Sequence, residues 1–383
     1  MHSLDAFATA KLVDLDARHQ LRRLIPTARI DGVILERGGR RLVSFSCNDY
    51  LNLATDPRTK AAAIRAVETH GTGAGASRLI TGNHPMIEEL EHRLARLKGT
   101  EDACVFGSGY LANVGIIPTL AGGNSLVLTD ELAHNCINAG AQLAAADTQA
   151  FRHNDLDHLE ELLIEHRDRY DHVLVVTDGV FSMDGDLAPL EALGALCVKH
   201  DAWLMTDDAH GIGVMGRDGA GSAHLKNKPV AVPLQMGTLS KAIGSYGAYL
   251  CASKPVVDLM KTRARTVVYS TGLPPAAVGA AIAALDIIES EPDFVALPVA
   301  KAQRFTAALN LPRAESPIVP IILGEETRAL EAQKILSDAG FLVAAIRPPT
   351  VPPGTSRLRF AFTARHTDED IDAVVAILRE RIL

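Results

Sequence analysis

Three short segments carry residue types that could work together chemically. Lys241 sits in Gly237-Thr238-Leu239-Ser240-Lys241-Ala242-Ile243-Gly244, a turn of hydroxyls and glycines just ahead of a strand-like run at 246–251. Most lysines face solvent. An amine in a partly desolvated, cationic pocket has a lowered pKa and can form a Schiff base with a carbonyl. Asp207 opens Asp207-Asp208-Ala209-His210 at the carboxyl end of a predicted strand, where open α/β sheets place their ligands. Gly107-Ser108-Gly109-Tyr110 joins a predicted strand at 103–106 to a helical stretch at 111–120. Glycine lets backbone N–H groups approach a ligand closely, and a helix N-terminus favours a phosphate. An anion cradle, a carboxylate at a strand end and a shielded lysine are the three needs of pyridoxal 5'-phosphate. The phosphate wants backbone donors, the pyridine nitrogen a carboxylate that keeps it protonated, and the aldehyde an amine.

Other chemistries fail on context. Gly71-Thr72-Gly73-Ala74-Gly75-Ala76 has dinucleotide-binding glycine spacing but follows a helical segment. Gly211-Ile212-Gly213-Val214-Met215-Gly216 follows a strand, but Arg217-Asp218-Gly219-Ala220-Gly221 cannot open a helix. The fingerprint needs strand, turn and helix together. Gly107-Ser108-Gly109 is not a hydrolase nucleophile elbow. The acidic run from Asp178 to Asp186 lacks calcium-loop spacing. His153 and His158 read as a polar loop and a helix start, so no metal is expected.

The surrounding pattern must position these groups. Strand-like runs at 103–106, 125–128, 173–176, 203–206 and 248–251 alternate with helical stretches, among them 86–98 and 187–200. That alternation predicts an α/β fold with a large, mostly parallel sheet flanked by helices, spanning 46–285. Ahead of it, 1–45 reads as an N-terminal arm: a polar helix with Leu12, Leu15 and Leu21 ending near Pro26, then a hairpin through Gly38-Gly39. Behind it, 286–383 reads as a smaller α+β domain. Its strands are at 318–323 and 357–362, and its last helix starts at a capping box, Thr367 to Asp370.

Composition narrows the function classes. The 383 residues are 47% hydrophobic and 22% charged, with net charge −8. A nucleic-acid binder would show a basic surplus. No stretch has the roughly 18 apolar residues of a membrane span. The N-terminus lacks the basic and apolar regions of a signal peptide, and five cysteines are widely spaced. A reduced, cytoplasmic location is the expectation.

From about Ser46 onward the chain resembles the α-oxoamine synthases, within the fold-type I pyridoxal-phosphate enzymes. The resemblance rests on Asn48-Asp49-Tyr50-Leu51, Gly73-Ala74-Gly75-Ala76-Ser77-Arg78, Thr81-Gly82-Asn83-His84, Gly179-Val180-Phe181-Ser182-Met183-Asp184-Gly185-Asp186, Asp207-Asp208-Ala209-His210-Gly211 and Thr238-Leu239-Ser240-Lys241. It implies that Lys241 is the Schiff-base lysine, Asp207 the pyridinium partner and His134 the histidine stacked on the ring. His210 and Ser182 match groups near the ring hydroxyl. Ser108, Gly109, Tyr110 and Thr238 match phosphate and cofactor contacts. Arg22 (or its neighbour Arg23), Asn48, His134, Thr350 and Arg359 match substrate-facing positions. The family further implies a homodimer whose active site lies at the subunit interface, with Tyr269-Ser270-Thr271 reaching the partner's cofactor. The run at 346–352 is most similar to members that condense L-alanine with a pimeloyl thioester, carried by coenzyme A or a carrier protein. Glycine-using members are the alternative, and a non-catalytic protein on the same scaffold is the alternative of another class.

Overall fold

Seven strands make the central sheet of the computed structural model, which describes every residue except Met1, His19, Arg23, Asn227 and Lys228. In spatial order they are Asp102–Phe106, Ala248–Ala252, Leu234–Thr238, Trp203–Asp207, His172–Asp178, Ser125–Asp130 and Asp147–Phe151. From Leu234–Thr238 to Asp147–Phe151 every neighbouring pair is parallel. Ala248–Ala252 runs antiparallel to both its neighbours. The period-2 pleat sends successive side chains to opposite faces. Ala103, Val105, Tyr249 and Cys251 pack with Ile87, Leu90 and Leu285, from helices Pro85–Lys98 and Pro275–Ser290. Cys104, Phe106 and Leu250 pack with Ile116 and Ile117 of helix Gly109–Leu120. Burial on both faces is why these strands read as short apolar runs.

A three-stranded antiparallel sheet follows, with Ser356–Ala361 between Ile318–Gly324 and Ala344–Ile346. Leu358 and Phe360 enter a core with Phe305, Phe362 and Val374. The alternating Arg357 and Arg359 therefore face the other way, toward the 182–184 loop. Gly185 lets that loop pass close to the small sheet. Its φ is +77°, and a Cβ there would lie 2.2 Å from the Ile318 carbonyl oxygen.

Several expectations need correction. The N-terminal helix is Ser3–Ala17, so it stops well before Pro26 and Leu21 lies outside it. The helix expected at 187–200 is Leu190–Lys199, because Pro189 is its cap. Strands Asp147–Phe151 and Leu234–Thr238 were not expected. Residues 28–44 do not stand apart. Ala28–Asp31, Ile34–Arg37 and Arg40–Ser44 form one sheet with Phe341–Leu342, which runs parallel to Arg40–Ser44. Helix Pro275–Ser290 runs unbroken through residue 285. The capping box at Thr367 and Asp370 is present.

Candidate active site

The carboxyl ends of the parallel strands converge on Lys241. The turn 239–247 is closed by Leu239 N–H to the Gly247 carbonyl and Ser245 N–H to the Leu239 carbonyl. Thr238 Oγ1 donates to the Gly247 carbonyl at 2.9 Å and lies 2.8 Å from Ser240 Oγ. The turn aims Lys241 Nζ at His210 Nε2, 2.8 Å away. Burial lowers the pKa of Lys241 to about 8, against the opposing pull of Asp207 and Asp178. His210 is held on its other side by Tyr50, whose hydroxyl is 2.6 Å from Nδ1. Burial, then the charge of Lys241, push His210 well below its ordinary pKa, so the ring is neutral.

Asp207 and Asp208 separate into two roles. Asp207 accepts from Asn113 Nδ2 at 2.7 Å and from the Ala209 N–H at 3.0 Å. Asp208 points away from Lys241 into a buried ion pair with Lys98 Nζ at 2.9 Å, both side chains 1% exposed. Asp178 is the register partner of Asp207 on the next strand. Burial, then the Asp207 charge, raise its pKa well above the carboxylate range, and it accepts the His134 N–H at 3.1 Å.

His134 caps helix Asn135–Leu143. Its Nδ1 accepts from the Cys136 N–H at 3.3 Å and lies 2.8 Å from Cys136 Sγ. Burial lowers its pKa. The capping bond fixes the tautomer: Nδ1 is an acceptor, so Nε2 carries the proton.

Ser108 caps helix Gly109–Leu120, its Oγ accepting the Leu111 N–H at 3.2 Å. No described residue accepts the N–H of Gly109 or Tyr110. A Cβ on Gly109 would lie 3.8 Å from Thr238 Oγ1, so cradle and lysine turn face each other. Free helix N–H donors, a lysine with a lowered pKa and a hydrogen-bonded Asp207 fit the phosphate, aldehyde and ring nitrogen of pyridoxal phosphate.

On the substrate side, Arg359 Nη1 donates to Asn48 Oδ1 at 3.2 Å and its Nε to the Ser182 carbonyl. Arg22 Nη2 reaches Thr350 Oγ1 at 3.3 Å, joining two sequence-predicted residues. Arg23 lies outside the described residues. Tyr110 is exposed. Thr271 pairs antiparallel with Ser77, and neither it nor Ser270 bonds to the Lys241 cluster. Sequence reasoning missed Asn113, Tyr50, Cys136 and Asp178 as parts of the site. A lone amide in the otherwise apolar 111–117 stretch was the legible signal for Asn113.

Residues 40–378 match the family Aminotransferase class I and II. The chain is 63% identical to the 8-amino-7-oxononanoate synthase of Beijerinckia indica subsp. indica, over 97% of this chain and 96% of that one. The chain belongs to this aminotransferase family, among the 8-amino-7-oxononanoate synthases. The Methylocella silvestris 8-amino-7-oxononanoate synthase is 65% identical over 90% of this chain and 98% of that one. Among solved structures, S. paucimobilis serine palmitoyltransferase with a bound PLP–myriocin aldimine superposes with a TM-score of 0.92. It is 28% identical, over 99% of this chain and 98% of that one. The 8-amino-7-oxononanoate synthase of Francisella tularensis gives a TM-score of 0.75 at 26% identity, over 89% and 98%. These neighbours share the fold-type I architecture, whose large sheet and smaller C-terminal sheet recur here. Among the described residues no helix is long and apolar enough to cross a membrane.

Proposed function

We propose that the chain condenses L-alanine with a pimeloyl thioester, giving 8-amino-7-oxononanoate, carbon dioxide and a free thiol in biotin biosynthesis. The observation that carries this reading is the near full-length identity to synthases of that name, joined to the Lys241–His210–Asp207 cluster at the strand ends. Pyridoxal 5'-phosphate supplies, when bound, an electron sink for the carbanion at the alanine Cα. Lys241 would hold its aldehyde, Asp207 its ring nitrogen, and Ser108, Gly109, Tyr110 and Thr238 its phosphate. His210 and Ser182 would lie at its ring hydroxyl and His134 on its face. Ser270 and Thr271 would serve the partner's site in a homodimer.

The chain's own groups then do the following work. Arg359 holds the alanine carboxylate, as a planar fork can do with two bonds. Lys241, freed and with its pKa near 8, takes the Cα proton as general base. Asp207 stays an acceptor because Asn113 and the Ala209 N–H hold it in place. His134 presents Nε2–H to the thioester carbonyl as its oxygen gains charge; one such donor is worth about 2.7–4 kcal/mol. The carbon–carbon bond forms, the thiolate leaves, carbon dioxide departs from the former alanine carboxylate, and Lys241 returns a proton to Cα. Arg22, Asn48 and Thr350 would complete the substrate-facing wall.

A matrix of alanine, glycine and serine against acetyl-, succinyl-, palmitoyl- and pimeloyl-CoA tests the substrate assignment. Free thiol and carbon dioxide are scored together. One methyl group in an apolar pocket is worth about 1–3 kcal/mol, so alanine should be preferred over glycine by about 10–200-fold. Fastest turnover of glycine with acetyl- or succinyl-CoA would move the protein to a glycine-using activity.

A further inference from the structure

His153 follows the edge strand Asp147–Phe151 and has no part in the chemistry above, yet it is doubly ion-paired. Its Nδ1 lies 3.0 Å from Asp130 Oδ1 and its Nε2 2.7 Å from Asp186 Oδ2. Both neighbours are carboxylates, so both ring nitrogens donate and the ring is an imidazolium. Burial alone would lower its pKa; the two carboxylates outweigh burial and push it up to about 10. The ring also stands edge-on to Phe181, with centroids 4.3 Å apart at 89°. Asn154 reinforces the bridge, its N–H donating to Asp130 Oδ2 at 2.9 Å and its Nδ2 to Asp186 Oδ2 at 3.1 Å.

The two carboxylates belong to two different walls of the cleft. Asp130 ends strand Ser125–Asp130 and organises the turn to His134. Its Oδ1 accepts the Leu132 N–H at 2.8 Å and its backbone carbonyl the Ala133 N–H. Asp186 closes the 181–186 loop, its carbonyl accepting the Phe181 N–H at 3.0 Å. The far side of that loop holds the small sheet: the Ser182 carbonyl takes Arg359 Nε, and Asp184 pairs with Arg357.

We propose that His153 is a positioning residue that locks the turn ending in His134 to the loop that holds Arg359, so that the acyl-facing donor and the carboxylate-binding fork keep a fixed spacing. This rests on the reading of His134 and Arg359 as substrate-facing groups. The structural half needs no such reading and can be measured on the unloaded chain.

The experiment is amide hydrogen exchange on the unloaded chain carrying His153→Gln, Asp186→Asn or both, with steady-state kinetics on the same loaded variants. Gln fills similar space but has one amide group for two carboxylates. Expected is a rise of about 10-fold or more in exchange at Leu132 and His134, and also at Phe181 and Gly185, in each single variant. The double variant should add little, because the residues share one network. Kinetically, the KM for alanine should rise and kcat should fall in the same variants. Exchange that rises on one wall only, or adds in the double variant, overturns the lock. Should His153→Gln be too unstable to study, Asp186→Asn alone must still loosen both walls, and a change confined to the 181–186 loop refutes the proposal. Loosened walls with unchanged KM and kcat refute the positioning role, provided Arg359→Lys and His134→Gln impair the enzyme. If those two variants turn over normally, the active-site reading fails instead.

Discussion

Adjacent aspartates with opposite duties give a sharp perturbation, Asp208→Asn. Lys98 Nζ lies 2.9 Å from Asp208 Oδ2 and 2.6 Å from the Ala220 carbonyl, with no exposed surface to speak of. Asp208 also accepts the Ser222 N–H at 3.1 and 3.2 Å. The site closes around it: Gly221 has φ +101°, and a Cβ there would lie 1.7 Å from Asp208 Oδ2. An amide in place of the carboxylate keeps an acceptor oxygen but leaves the ammonium buried without a counter-charge. Breaking such a pair costs about 3–5 kcal/mol. The assay is urea unfolding followed by the single Trp203, which begins the strand ending at Asp207 and stacks on His172. Adding Lys98→Met to Asp208→Asn should restore part of the stability, since the charge is gone and Asn still accepts from Ser222. A variant as stable as the parent but inactive would refute the reasoning, because it would give Asp208 the duty assigned to Asp207.

Asp207→Asn should show the reverse: near-parental urea stability and a loss of turnover on the order of 10²-fold or more, measured as thiol release. Lys241, with a pKa of about 8, should be about one-tenth deprotonated at pH 7. The rate at which the unloaded chain condenses with pyridoxal phosphate should therefore climb through pH 8 and level off above it; a climb centred above pH 10 would contradict the burial argument. His366 stacks on Phe45 and uses both ring nitrogens, toward the Ser44 carbonyl and the Thr363 N–H. Burial lowers its pKa to about 4, so between pH 6.5 and 4 the unfolded chain binds a proton that the folded chain refuses. Stability should fall through that window as pH drops, by up to about 1.36 kcal/mol per pH unit, and His366→Gln should remove this slope.

Legibility followed burial. Strands His172–Asp178 and Ser125–Asp130 are apolar runs because helices cover both their faces. Asp147–Phe151 was invisible because it is the sheet's exposed edge, with the polar sequence Asp-Thr-Gln-Ala-Phe. Leu234–Thr238 was missed for a different reason. It is buried, but Gln235, Met236 and Gly237 carry no strand preference, and its neighbours alone make it a strand. Lys241 and Asp207 could be read from local context, since a turn or strand end is a property of a few adjacent residues. Tyr50 and Cys136 could not be assigned, and Asn113 stood out only as a lone amide in an apolar stretch, because their partners lie tens of residues away or depend on how a helix start is rotated. His153 shows the same limit: Asp130 and Asp186, 23 and 33 residues distant, turn a polar loop histidine into a bridge.

The most direct test of the account is one reaction of the purified, cofactor-loaded chain with L-alanine labelled with carbon-13 at its carboxyl and pimeloyl-CoA, read by mass spectrometry. Labelled carbon dioxide, free thiol and unlabelled 8-amino-7-oxononanoate are expected in equal amounts, with all three lost in Lys241→Ala. Label retained in the product, or undiminished turnover in Lys241→Ala, would contradict it.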